Sequence, residues 1–168
     1  LYPNVNWYDY LMNKAAVQTQ HNVSISGGTK DIRYFVSLGF LYQNGLFKQL
    51  DGLDYNNNYS YTRYNYRANL DVNLTRTTTL KFGMGGIVGN QRDPGGSGNV
   101  WKQLTWSLPF SSPGIVDGKK VMTQSTRFPG VKMENQVFNG FYGYGYDRKV
   151  SNNMTFHLNL SQNLDCIT

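Results

Sequence analysis

Residues 63–74 read RYNYRANLDVNL. Tyr64, Tyr66, Ala68, Leu70, Val72 and Leu74 alternate with Arg63, Asn65, Arg67, Asn69, Asp71 and Asn73. Side chains on a strand point alternately to opposite faces, so this period of two predicts a two-faced strand about twelve residues long. The same pattern recurs. In QTQHNVSISGG (residues 18–28) Val23 and Ile25 oppose Asn22, Ser24 and Ser26. In IRYFVSLGFLYQ the face Ile32, Tyr34, Val36, Leu38, Phe40, Tyr42 opposes a mixed one. Leu80, Phe82, Met84 and Val88 are in phase in LKFGMGGIVGNQ, and Met154, Phe156, Leu158, Leu160 and Leu164 in NMTFHLNLSQNLD. Residues 1–17 lack this period, and DYLMNKAAV predicts a short helix with Asp9 near its start.

The connections predict how the strands join. GGTKD and TRTT are short turns, residues 44–58 a medium polar connection, and residues 91–151 a long departure. That departure holds Pro94, Pro109, Pro113 and Pro129, a predicted helix NVWKQLTWSL, a turn GIVDGKK, and FYGYGYD as an extra hairpin arm. Alternation over about twelve residues exceeds the 5–6 of an ordinary strand and suits a tilted membrane-crossing strand of about 9–11. Short turns at one end and long loops at the other are the habit of outer-membrane barrels. The expected fold is all-β: antiparallel up-and-down strands of a transmembrane β-barrel, a partial barrel of about five long strands. One large extracellular loop containing a short helix completes it. Residues 1–17 lead in as an extracellular loop, 18–90 form four barrel strands, 91–151 the long extracellular loop, and 152–168 a further strand and the start of a turn. Five strands do not close a membrane barrel, so a fragment is expected. A soluble extracellular glycan-binding β-sandwich with tyrosine-rich rims remains the alternative.

Composition agrees with β structure. The chain has 13 Tyr, 9 Phe, 3 Trp and 18 Gly, and aromatics at this level exclude a disordered segment. A net charge of +6 invites a nucleic-acid reading, but Lys and Arg form no run, so no nucleic-acid partner is expected. One cysteine, Cys166, excludes an intrachain disulfide and a cysteine zinc site. No apolar run is long enough for a membrane-spanning helix, and LYPNVNWYDY lacks the form of a signal peptide.

Candidate chemistry is sparse. Arg63, Asn65, Arg67, Asn69 and Asp71 share the polar face of one strand and are candidates to line a hydrated lumen; an ion-paired, solvated face is the plainer reading. Trp101 and Trp106 on the loop helix are candidates for contact with a sugar ring or a partner, against simple packing within the loop. His21 and His157 are assigned to polar strand positions without the carboxylates a metal site needs. GMGG (residues 83–86) lacks the Lys-Ser/Thr ending of a phosphate loop, and Asp93 and Asp117 read as turn acids. No catalytic constellation is present in the pattern, so no enzyme, metal or cofactor is expected.

NWYDYLMNKAAVQTQHNVSISGGTKDIRYFVSLGFLYQNGLFK resembles a segment near the start of the barrel in SusC/RagA-type TonB-linked outer-membrane proteins. The matching positions are Trp7, Asp9, Gln20, His21, Asn22, Ser24, Ser26, Gly27, Gly28, Tyr34, Ser37, Gly39, Gln43 and Gly45. RYNYRANLD resembles the next strand of that family, and NLDCIT a later strand end in which an aromatic is expected instead of Cys166. The resemblance implies an early piece, the second to sixth strands, of a 22-stranded barrel whose plug lies outside this sequence. It further implies import of oligosaccharides or peptides with energy delivered through TonB, a SusD-like lipoprotein capping the outer face, and contact with outer-membrane lipid. The implied location is a Bacteroidetes-type Gram-negative outer membrane. GGTKD and TRTT would face the periplasm.

Overall fold

The computed structural model describes residues 3–50, 52–95, 97–121, 123–124, 132–133 and 145–164. Five long strands form one sheet in the order β1-β2-β3-β4-β9. They are β1 (Gln18–Gly28), β2 (Ile32–Asn44), β3 (Ser60–Asn73), β4 (Thr78–Pro94) and β9 (Tyr146–Gln162). Every strand lies beside its neighbour in sequence among these five, so the topology is up-and-down and antiparallel. The pairs β5 (Ile115–Val116) with β6 (Lys119–Lys120), and β7 (Thr123–Gln124) with β8 (Lys132–Met133), are separate two-stranded sheets. The fold is the all-β partial barrel that the alternation predicts. No described helix is long and apolar enough to cross a membrane, which says nothing about crossing by strands.

The strands outrun the alternation that announces them. β4 and β9 each contain 17 residues, and β9 begins at Tyr146, before the strict alternation starts. Of FYGYGYD, Tyr146 and Asp147 belong to β9, while residues 141–144 lie outside the described residues, as does Cys166.

The two short turns use one device. Thr29 Oγ1 accepts from the backbone N–H groups of Asp31 and Ile32, both at 3.3 Å. Thr75 Oγ1 accepts from those of Thr77 and Thr78 at 3.2 and 3.0 Å. A hydroxyl that satisfies the donors of a tight turn fixes its geometry, and turn geometry fixes strand register. In β1 and β2 that register sets Val23 opposite Leu38 and Ile25 opposite Val36.

Two compact units emerge from the chain. One is the sheet, from Gln18–Gln43, Tyr61–Asn90 and Lys149–Thr168; the other gathers Leu1–Val17, Asn44–Ser60 and Gln91–Arg148. The second unit has its own core of Trp7, Leu11, Phe47, Leu50, Val100 and Leu104. The connection over residues 44–58, polar by composition, thus contributes two buried apolar side chains. Asn57, fully buried, holds that segment in place: its Nδ2 donates to Lys48 O at 3.1 Å and its Oδ1 accepts from Leu50 N at 3.4 Å. Buried amides are retained when both ends are satisfied, as here.

The first helix differs from the expected one. α1 runs Trp7–Leu11, capped by Asn6, whose side chain accepts from Tyr8 N and Asp9 N. Asn is a strong cap, and Asp9 in the first turn receives a 2.7 Å bond from Asn6 Nδ2. The helix stops because Met12 is extended and bridges Phe47, and Asn13 N donates to Leu46 O at 2.6 Å. Pairing with residues 46–48 takes the backbone that the sequence assigns to helix. α2 (Ser97–Trp106) fulfils the expected loop helix, turning Val100 and Leu104 inward one turn apart. The GIVDGKK turn joins β5 and β6 through Asp117 and Gly118, at φ 51° and 70°. Paired positive φ angles are what a two-residue hairpin loop requires.

Leu104→Ala is expected to destabilise this second unit by about 2–5 kcal/mol, the usual cost of emptying a core leucine site. Hydrogen exchange checks it: amide protection at Leu11 and Lys48 falls, while protection at Val36 and Leu38 in the sheet holds.

Candidate functional site

The sheet presents two unlike faces. The Phe40 and Tyr64 rings meet across β2 and β3, tilted at 47° with centroids 5.4 Å apart, in phase with Leu38, Val36 and Tyr34. Val23, Ile25, Val36, Leu38, Phe156, Leu158 and Leu160 all lie exposed, Leu158 at 71% and Leu160 at 66%. His21 belongs to this apolar set, which corrects its assignment to a polar position. The register places it opposite Phe40, and the two rings stack at 6.3 Å and 18°. The odd positions of β1 carry Val23 and Ile25, and His21 shares their parity.

The other face forms an open trough of about 1300 Å³. Arg63, Asn65, Arg67, Asn69 and Asp71 all line it, joined by Asn22 from β1, Ser37 from β2, Lys81 from β4, and Asn153, His157 and Asn159 from β9. The strand order brings these residues to one surface; alternation within β3 alone identified only the first five. Asp71 Oδ2 lies 3.7 Å from Arg33 Nη2, a partly exposed pair worth no more than about 1 kcal/mol. Arg63 Nε and Asn65 Oδ1 are buried with no hydrogen-bond partner among the described residues. Glycines shape the floor. A side chain on Gly83 would collide with the His157 imidazole, and one on Gly39 would meet Asn22 Oδ1 at 2.7 Å. Gly83 therefore stands where it does because a neighbouring ring occupies the space of a Cβ, and GMGG serves packing across β4 and β9.

Trp101 and Trp106 lie outside this trough, on α2 of the second unit. Trp101 is 53% exposed and leans on Phe47 at 5.4 Å; Trp106 is 71% exposed, with Lys102 Nζ 4.7 Å from its ring centre. At the start of β9, Tyr146 meets the Arg92 guanidinium at 4.4 Å and the Tyr55 ring at 6.0 Å. No group of three or more potential metal-ligating side chains exists among the described residues.

No family model matches the chain. Among curated proteins, TonB-dependent receptor P26 of Formosa agariphila is 27% identical over 118 residues, covering 70% of this chain and 11% of that protein. TonB-dependent receptor SusC of Bacteroides thetaiotaomicron is 47% identical over 45 residues, 27% of this chain and 4% of that protein. The chain is similar to TonB-dependent receptors. The matched stretches span about a tenth or less of the length of these relatives.

Gly83→Val is expected to destabilise the β4–β9 pairing by about 1–3 kcal/mol through overpacking against His157. The double variant Gly83→Val/His157→Ala recovers most of that loss in denaturant unfolding. Equal instability of the single and double variants would show that the ring is not the obstacle.

Proposed function

We propose that this chain is a section of the wall of a TonB-dependent outer-membrane transporter of the SusC/RagA type. Its apolar face meets lipid, its polar trough lines the lumen, and residues 1–17, 44–58 and 91–151 form the extracellular side. One observation carries the reading: a row of large apolar side chains stays exposed on one face of an antiparallel sheet. In water such a surface is a strong association liability. Facing hydrocarbon, the same surface is at home, and strands of 11–17 residues are long enough to cross while tilted. Similarity to two TonB-dependent receptors supports the same conclusion.

In this reading the substrate is a glycan or peptide, moved with energy delivered through TonB, and the partner at the outer face is a SusD-like lipoprotein. The resemblance to SusC supports that finer choice. Trp106 and Trp101 offer exposed rings on the extracellular unit for substrate or partner. Arg63, Asn65, Arg67, Asn69 and Asp71 are the lumen lining. The activity is transport, with no enzymatic step. A soluble β-sandwich needs a second sheet to cover the apolar face; the other described sheets are pairs of two-residue strands in the second unit.

Lipid contact is directly measurable. In a Cys166→Ser background of the whole transporter barrel that contains this section, single cysteines at Leu158 and at Asn159 carry an environment-sensitive fluorophore, and the barrel is folded into bilayers containing brominated lipid. The label at 158 is expected to be quenched strongly and the label at 159 weakly, with the same contrast between 38 and 37. Equal quenching at 158 and 159 would refute a lipid-facing side.

A further inference from the structure

The register of β4 and β9 sets two arginines against each other. Gly95 N donates to Gly145 O at 2.9 Å, a side chain on Gly89 would meet Ser151 Oγ, and one on Gly83 would meet the His157 ring. These three contacts share one antiparallel alignment, and it puts Arg92 directly opposite Arg148. Like charges at opposed positions destabilise a sheet. The strand positions that share their face offer no counter-charge, since no even position of β3, β4 or β9 carries an acid. The acids of β4 and β9, Asp93 and Asp147, take odd positions, and Asp93 already accepts from Gln91 Nε2 at 2.7 Å. Arg92 is held by an aromatic face: its guanidinium lies 4.4 Å from the Tyr146 ring centre, and the Tyr55 ring stands 6.0 Å from that of Tyr146. A guanidinium laid on a ring keeps its N–H edges for an acceptor. Arg92, Arg148, Tyr146 and Tyr55 all belong to one compact unit. Two opposed guanidiniums suit a dianion with three terminal oxygens, a phosphate monoester, better than a carboxylate that a single fork saturates.

Strand geometry gives the source of that phosphate. The even positions of β9 from Val150 to Leu160, interrupted by Asn152, are apolar and exposed. They cover roughly 33 Å along the strand, or about 24 Å at a tilt of about 45°, close to the height of a barrel's apolar band. Arg148 and Tyr146 come next on the same strand, past the edge of that band, at the level where tyrosine sits among lipid headgroups. We propose that Arg92 and Arg148, backed by Tyr146, bind the phosphate monoester of a membrane lipid at the loop-side rim of the apolar face. The site rests on the membrane reading above, which puts lipid on this face. The apolar row on β9 gives acyl chains a surface to lie on, which free phosphate does not use.

The test uses the whole transporter barrel that contains this section, stripped of lipid and held in detergent micelles at low ionic strength. Binding of phosphatidic acid, of phosphatidylcholine with the same acyl chains, and of inorganic phosphate is measured by native mass spectrometry and calorimetry. Phosphatidic acid is expected to bind about tenfold or more tightly than either of the others, because phosphatidylcholine lacks the dianion and inorganic phosphate lacks the chains. Arg92→Gln and Arg148→Gln each lower phosphatidic acid affinity about tenfold. The double variant is little worse than either single one, because one phosphate bridges both side chains. Arg76→Gln, in the turn between β3 and β4, leaves the affinity unchanged. Circular dichroism of each variant reports whether the sheet is intact, and Arg148→Gln decides the matter if Arg92→Gln, which also loses a ring contact, fails to fold. Equal affinity for the two lipids, or an intact Arg148→Gln barrel that binds phosphatidic acid normally, overturns the proposal. Inorganic phosphate binding as tightly as phosphatidic acid, and through Arg148, overturns the lipid assignment. Loss of lipid selectivity with bromolipid quenching at 158 intact refutes this site alone; loss of that quenching contrast with lipid selectivity intact refutes the membrane reading alone.

Discussion

Register is the constraint from which the rest of this structure follows. Side chains alternate with a period of two, so a slip of one residue between neighbouring strands would move every apolar side chain to the wrong face. The pairings His21–Phe40, Val23–Leu38 and Ile25–Val36 put one apolar set together, and Asn22–Gly39 and Ser24–Ser37 put a polar set together. The same lock recurs where Arg33 meets Asp71 across β2 and β3, and where Gly83 accommodates His157 across β4 and β9. The threonine-closed turns at Thr29 and Thr75 impose it locally. Both the exposed apolar face and the polar trough are products of this one alignment.

Long connections would normally be the loose part of such a sheet, but here they share a core. Trp7 Nε1 donates to Leu108 O at 3.0 Å, Lys48 N to Leu11 O at 2.8 Å, and Val5 N to Pro109 O at 2.9 Å. Three segments far apart in sequence are stitched by two backbone bonds and one from the Trp7 indole around Val100 and Leu104. A long connection without structure of its own would be hard to justify in a compact protein, whereas the described part of residues 91–148 supplies a helix and two of the six core side chains, Val100 and Leu104.

How much of this was legible depends on range. Period-two alternation is local, so the five strands, their order and the polar row Arg63 to Asp71 could be read directly. The β3 row and its partners Lys81 and His157 are separated by up to 94 residues, and only the strand order brings them together. The α1 boundary was misplaced because helix-forming composition in DYLMNKAAV competes with a tertiary pairing to Phe47 that no window on the sequence contains. Phe47 and Leu50 were hidden for the same reason, as isolated apolar residues in a polar stretch. His21 is the opposite case: its parity with Val23 was visible, and its polar character led away from a position the pattern already fixed.

A water-filled side and an apolar side place different demands on the same backbone, and the residue types answer both. On the apolar side Leu158, Leu160 and Phe156 sit on the outermost strand with no protein over them among the described residues, so no burial within this chain explains them. Their free-energy gain comes only from a surrounding that is itself apolar. On the polar side the opposite holds. Arg63, Arg67 and Lys81 are cationic side chains on one surface, and charges of one sign held together on a sheet are tolerable only with water or counter-charge nearby. In the proposed wall, a single sheet that satisfies both separates two solvents.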